Sequence, residues 1–146
     1  MISSIAPQDV NHKELAGKLL QDTPILYVRL SEKCGITHDL APDWMREVIR
    51  FLHLIAYSGE RLTPSVDVDN VWHEFILCTR TYMDFCESQF GRFVHHYPGG
   101  TEDENQRQFK RTLELYKGQF GRPKPLYWGG YDMTNPESGC GPCEGT

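Results

Sequence analysis

Val68-Asp-Asn-Val-Trp-His-Glu-Phe-Ile-Leu-Cys-Thr-Arg-Thr-Tyr-Met-Asp-Phe-Cys-Glu-Ser-Gln89 contains neither proline nor glycine, and its apolar residues recur at helical spacing. At about 100° per residue, Val71, Phe75, Cys78, Tyr82, Phe85 and Cys86 share one face, while Asp69, Trp72, His73, Ile76 and Arg80 lie opposite. The spacing predicts a single helix over 68–89, ended by Gly91. A helix apolar on both sides is buried on both sides, so this one is expected to run through the middle of the domain.

Outward from it, Trp44, Val48, Phe51 or Leu52, and Ile55 repeat at three to four residues between Pro42 and Gly59, which predicts a helix over 43–57. His53 within it reads as a packed or solvated helix histidine. The loop after Gly59 ends at a cap, Ser65 or Asp67. A further helix is expected over 102–117, with Phe109, Leu113 and Tyr116 facing inward and Thr101 capping ahead of Glu104. Near the N-terminus, Leu15, Leu19 and Leu20 mark a helix over 9–20 with Asp9 as its cap. The segment 25–30 has no second strand to pair with and is read as helix or irregular chain. The fold class is therefore all-α: an irregular or orthogonal bundle of four to five helices, with a C-terminal extension rich in Gly, Pro and aromatics. Residues 1–128 form one helical domain and 129–146 a Gly- and Cys-containing tail.

At 146 residues the chain is long enough to bury roughly 70% of its unfolded surface in one core. Its net charge of −5 and scattered basic residues argue against nucleic acid. Arg107, Lys110 and Arg111 alternate with acids and read as a solvated helix face. No apolar run approaches the ~20 residues of a membrane span, and the first residues lack a secretory pattern, so a cytoplasmic setting with no membrane association is expected. Five cysteines in a reducing compartment read as free thiols or ligands rather than disulfides.

Three of the six histidines fall within or just after the 68–89 segment: His73, and the pair His95-His96 that follows Gly91. Asp69 and His73 are four apart and face the same way on a helix. Such a carboxylate can orient the imidazole and leave its other nitrogen for a metal or a proton. Gly91 allows the chain to reverse and bring His95 or His96 back toward His73. Neighbouring residues of extended chain point to opposite sides, so only one of the two is expected to join it. The candidate metal ligands are His73, His95 and His96, with Asp69 and Trp72 supporting them and Glu74 as a candidate catalytic base. Against this stands a structural reading in which Asp69 caps, His73 packs under Trp72 and main-chain carbonyls satisfy the pair.

Cys140-Gly-Pro-Cys143 has the form of a thiol redox motif, but it lies too near the chain end for a following helix, and no βαβ pattern surrounds it. It could instead clamp a metal, and with two histidines it would complete a tetrahedral Cys₂His₂ set. Zinc is the first candidate, with copper or iron as alternatives. Cys78 and Cys86 read as core residues, and Cys34 with His38 is too small a set for a site.

The runs Pro64-Ser65-x-Asp67-x-Asp69-x-x-Trp72-His73-x-Phe75-Ile76-Leu77, Phe90-Gly91-x-Phe93-x-His95-His96-x-Pro98 and Tyr116-x-x-x-Phe120-Gly121-x-Pro123, with Trp128 after them, resemble the bacterial glycine-rich domain-containing protein-like family. The similarity covers about residues 30–128, and Gly139-Cys-Gly-Pro-Cys-Glu-Gly is the remnant of the tail such proteins carry. The resemblance implies a soluble helical domain in a short, stand-alone form, and supplies no reaction.

Three functions follow as expectations. The first is a small metal-binding domain built on the Asp-x-x-x-His helix and the His-His-x-Pro turn, catalytic if a coordination position stays open. The second is an accessory module that docks a protein partner through Tyr127, Trp128 and Tyr131. The third is a thiol redox protein acting through Cys140 and Cys143.

Overall fold

Pro42, inside the first turn, and Gly59, in the left-handed conformation at the end (φ 70°), bound the helix around which the rest of the chain is arranged. The structure, a computed structural model, describes residues 2–129. Among these residues there are seven α-helices and no strand. They are α1 (His12–Asp22), α2 (Ile25–Cys34), α3 (Ala41–Ser58), α4 (Val66–Leu77), α5 (Thr79–Phe90), α6 (Glu102–Phe120) and α7 (Pro125–Trp128), with a 3-10 turn at Pro7–Asp9 before them. The all-helical class agrees with the sequence pattern; the count is higher because one expected helix is two and α7 was not foreseen.

The central helix is α3, not the 68–89 segment. Met45, Val48, Ile49, Phe51, Leu52 and Leu54 are all buried, and α3 packs on α1, α4 and α6. The 68–89 segment breaks at Cys78, whose backbone (φ −82°, ψ 67°) leaves the helical region and whose N–H bonds to the Phe75 carbonyl. The break resolves the two-sided apolar pattern. A straight rod would bury Val71 and Phe75 on one side and Trp72 on the other. The bend instead turns Val68, Val71, Trp72 and Phe75 of α4, and Tyr82, Phe85, Cys86 and Phe90 of α5, into one core. Cys86 lies in that core, as expected; Cys78 is half-buried at the bend.

The caps follow local chemistry. Ser65 accepts from the Val68 N–H and Thr101 from the Glu104 N–H, as the sequence indicates. The first helix starts later than expected: Asp9 belongs to the 3-10 turn, and Asn11 caps α1 by accepting from Glu14 N–H. The segment 25–30 is helical and extends to Cys34.

A buried carboxylate joins α6 and α7 to α3. Glu47 on α3 is 1% exposed and accepts from Tyr116 Oη (2.5 Å), Trp128 Nε1 (2.8 Å) and Arg46 Nε (2.8 Å). Desolvation of a lone carboxylate would be costly, and these donors offset it. Burial, and the Glu47 charge beside it, hold the Tyr116 phenol well above its ordinary pKa, so it stays a donor. Ser65 Oγ donates to the Tyr127 carbonyl (2.6 Å), which tethers α7 to the start of α4. Tyr127 and Trp128 are thereby buried, so neither ring is offered to a partner; Tyr131, the third residue of that expected docking surface, lies outside the described residues.

Candidate metal centre

The Gly91 turn (φ 71°) ends α5 and sends the chain back toward α4. Tyr82 holds the returning segment, its hydroxyl donating to the Val94 carbonyl (2.5 Å) and accepting from Trp72 Nε1 (3.1 Å). Burial pushes the Tyr82 phenol far above its ordinary pKa, which keeps that donor protonated. Along the return, Val94 is buried, His95 exposed and His96 half-buried, the alternation of an extended chain. Only His96 therefore faces α4. Its ring lies 4.4 Å from the Trp72 ring and 4.5 Å from the His73 ring, centroid to centroid.

His96 Nε2 lies 2.9 Å from His73 Nε2 and 2.8 Å from Asp69 Oδ1, and His73 Nε2 is 3.6 Å from Asp69 Oδ2. Asp69 and His73 come from successive turns of α4 and His96 from the return segment. This is the group of three whose donor atoms could hold an ion. An imidazole Nε2 carries either one hydrogen or one lone pair. A hydrogen on His96 Nε2 serves the carboxylate well and the neighbouring nitrogen poorly; a lone pair there suits His73 and opposes the carboxylate. A single cation between the three atoms removes the conflict. Ligands about 2.05 Å from a common ion stand roughly 2.9 Å apart at right angles and roughly 3.3 Å apart at the tetrahedral angle. The two His96 separations, 2.8 and 2.9 Å, match the right-angle value, while the 3.6 Å from His73 Nε2 runs to the other carboxylate oxygen, Oδ2.

The other sequence-selected residues are placed elsewhere. His95 is exposed and its ring lies by Phe93 (4.7 Å) and Tyr97 (6.2 Å), away from the cluster. Glu74 takes Arg29 Nε at 2.9 Å and Nη2 at 2.8 Å, so its carboxylate is engaged by α2. Asp69, read as a supporting group, presents an oxygen directly to the cluster. Trp72, read as supporting, does lie against His96. Cys140 and Cys143 lie outside the described residues. Cys34 and Cys78 are half-buried and free, and burial raises both thiol pKa values.

The three residues line a cleft of about 510 Å³, within the range of metabolite-sized sites. Its walls include Arg61, Arg92, Tyr97, Asn105 and Gln108, none of which was selected from the sequence. Arg61 was hidden because its partner is 36 residues away: its guanidinium stacks 3.8 Å from the Tyr97 ring centroid.

A second histidine pair, also missed, lies in the core. His12 Nε2 is 2.9 Å from His53 Nδ1, and His53 Nε2 donates to the carbonyls of Ile2 (2.7 Å) and Ile5 (3.0 Å). With both rings neutral, the hydrogen on His53 Nε2 leaves Nδ1 to accept, so the hydrogen of His12 sits on Nε2. Burial above all, with the neighbouring His53 and Arg50, lowers the His12 pKa to about 3. Burial also lowers that of His53.

Fold and cluster together define a helical domain with two histidines and one carboxylate converging in a cleft. The chain belongs to the UCP032817-like family, whose description matches residues 23–117. That match corrects the likeness to the glycine-rich domain-containing protein-like family: the Asp-x-x-x-His and His-His-x-Pro runs lie inside the matched span, whereas the Gly- and Cys-containing tail lies beyond it. Neither a curated protein nor a solved structure matches the chain. Among the described residues no helix is long and apolar enough to cross a membrane.

Proposed function

We propose that the protein is a metal-binding helical domain whose centre is Asp69, His73 and His96. The observation that carries this reading is the grouping of two Nε2 atoms and one carboxylate, with His96 Nε2 2.9 Å from His73 Nε2 and 2.8 Å from Asp69 Oδ1 and all three donor atoms within 4.8 Å of one another. Two imidazoles and one carboxylate suit zinc, or a non-haem iron(II) bound on one face. Three protein ligands would leave coordination positions open, and the three residues line the cleft, which favours a catalytic over a purely structural ion. An ion held this way would supply Lewis-acid or redox chemistry. The chain's own contribution is to bind and orient: Asp69 and His73 are fixed by α4, and His96 by the Tyr82 to Val94 bond and its contact with Trp72.

The test is metal content. Protein purified without a histidine tag and reconstituted with Zn²⁺, or anaerobically with Fe²⁺, is expected to hold about one equivalent. His73→Ala and His96→Ala should each fall below about 0.3 equivalent, while His95→Ala stays near the wild type. Equal metal content in wild type and His96→Ala would overturn the reading.

A further inference from the structure

The cleft around the cluster is asymmetric in charge. Two arginines, Arg61 and Arg92, line it, and among the described residues neither makes an ion pair. Of the lining acids, Asp69 belongs to the cluster, and Glu60 is held from the other side by Arg111 through Nε (3.0 Å) and Nη2 (2.9 Å). Glu104 is the remaining negative charge on the wall. With a divalent ion in place, the cations in the cleft outnumber its uncommitted anions.

Arg61 is also held in place. Its guanidinium carbon lies over the ring of Tyr97, the residue directly after His96, at 3.8 Å from the ring centroid. A cation–π contact uses the guanidinium's charge rather than its N–H groups, and those N–H edges match the two oxygens of a carboxylate or phosphate. Arg92 is anchored differently, donating from Nη2 to the Ile55 carbonyl (3.2 Å) at the end of α3. A positioned guanidinium with no ion pair among the described residues thus shares a metabolite-sized cleft with the three candidate metal ligands.

We infer that the cleft binds a small oxyanion, a molecule bearing a carboxylate or phosphate group, which coordinates the ion at Asp69, His73 and His96 and pairs with Arg61. Arg61 is then a substrate-binding residue and Tyr97 the platform that orients it. The inference rests on the metal reading above. It adds the substrate class and the residue that selects it.

Co²⁺ is the probe, because its visible absorption reports changes in its own ligands. Wild type and Arg61→Met are loaded with Co²⁺ and titrated with succinate in one arm and inorganic phosphate in the other. Both proteins should bind Co²⁺ with the same stoichiometry and unfold at the same temperature, because Arg61 is exposed and touches no ligand atom. In the wild type at least one anion should change the Co²⁺ spectrum, and the arm that does so identifies the oxyanion. Arg61→Met should need about tenfold more of that anion, the loss expected when one charge-assisted pair is removed. If Co²⁺ binds but neither anion alters its spectrum, or if Arg61→Met responds as the wild type does, the oxyanion inference is overturned and the metal centre stands. Failure to bind Co²⁺ at all overturns both.

Discussion

Below neutral pH the buried pair His12 and His53 should set the stability of the fold. In the native state His12 takes a proton only near pH 3, because burial, the adjacent imidazole and Arg50 all oppose the charge. Its place in the first turn of α1 opposes the charge too, through the positive end of the helix. The unfolded chain binds that proton near 6.5. Between these values the unfolded state holds more protons than the native one, so stability falls as pH falls, fully retained above about 6.5 and lost progressively toward 3. At pH 5, 1.5 units below the unfolded value, His12 alone should cost about 2 kcal/mol, at 1.36 kcal/mol per unit. The depressed His53 adds to this in the same direction. His12→Gln is the informative variant: glutamine Nε2 can still donate to His53 Nδ1, but it does not titrate. Urea unfolding of both proteins at pH 7.5 and pH 5 measures the difference. The wild type should lose about 2 kcal/mol more than His12→Gln over that interval. Parallel losses, within about 0.5 kcal/mol, would falsify the account of the pair as a neutral, proton-refusing contact.

Other perturbations address the scaffold and the centre separately. Glu47→Gln removes the charge shared by Arg46, Tyr116 and Trp128 and should cost roughly 3 kcal/mol in denaturant unfolding, with metal content unchanged; a loss under about 1 kcal/mol would count against the knot. Tyr82→Phe deletes the donor to Val94 without touching a ligand, and should weaken Zn²⁺ affinity about tenfold in a competition titration while the stoichiometry holds. Ser65→Ala loses both the cap of α4 and the tether to Tyr127, and should lower stability by about 1–2 kcal/mol with a visible increase in Trp fluorescence quenching by acrylamide.

Features set by neighbours along the chain were legible in the sequence, and features set by distant partners were not. Pro42 and Gly59 mark α3 because one is tolerated only in a first turn and the other releases the left-handed cap. Thr101 with Glu104, and Ser65 with Val68, are local pairings of the same kind. Asp69 and His73 followed from helical spacing, and the choice of one imidazole from the pair followed from alternation in extended chain. The bend at Cys78 carries no proline or glycine and comes from the shared demand of α4 and α5 for one core, which no local window contains. Glu47 and His12 carry no local signal of their roles because their partners lie tens of positions away. Arg61 beside Tyr97 is hidden for the same reason, and with it the charge of the cleft.

That bend has a mechanical meaning for the centre. α4 carries two of the converging groups, and α5 with the Gly91 reversal delivers the third, so Cys78 sits at the vertex between the two jaws of a calliper. Opening or closing that angle by a few degrees would be magnified along the arms into a change in ion-to-nitrogen reach. On the proposed metal reading, selectivity among ions of different radius would then be tuned by packing at the vertex.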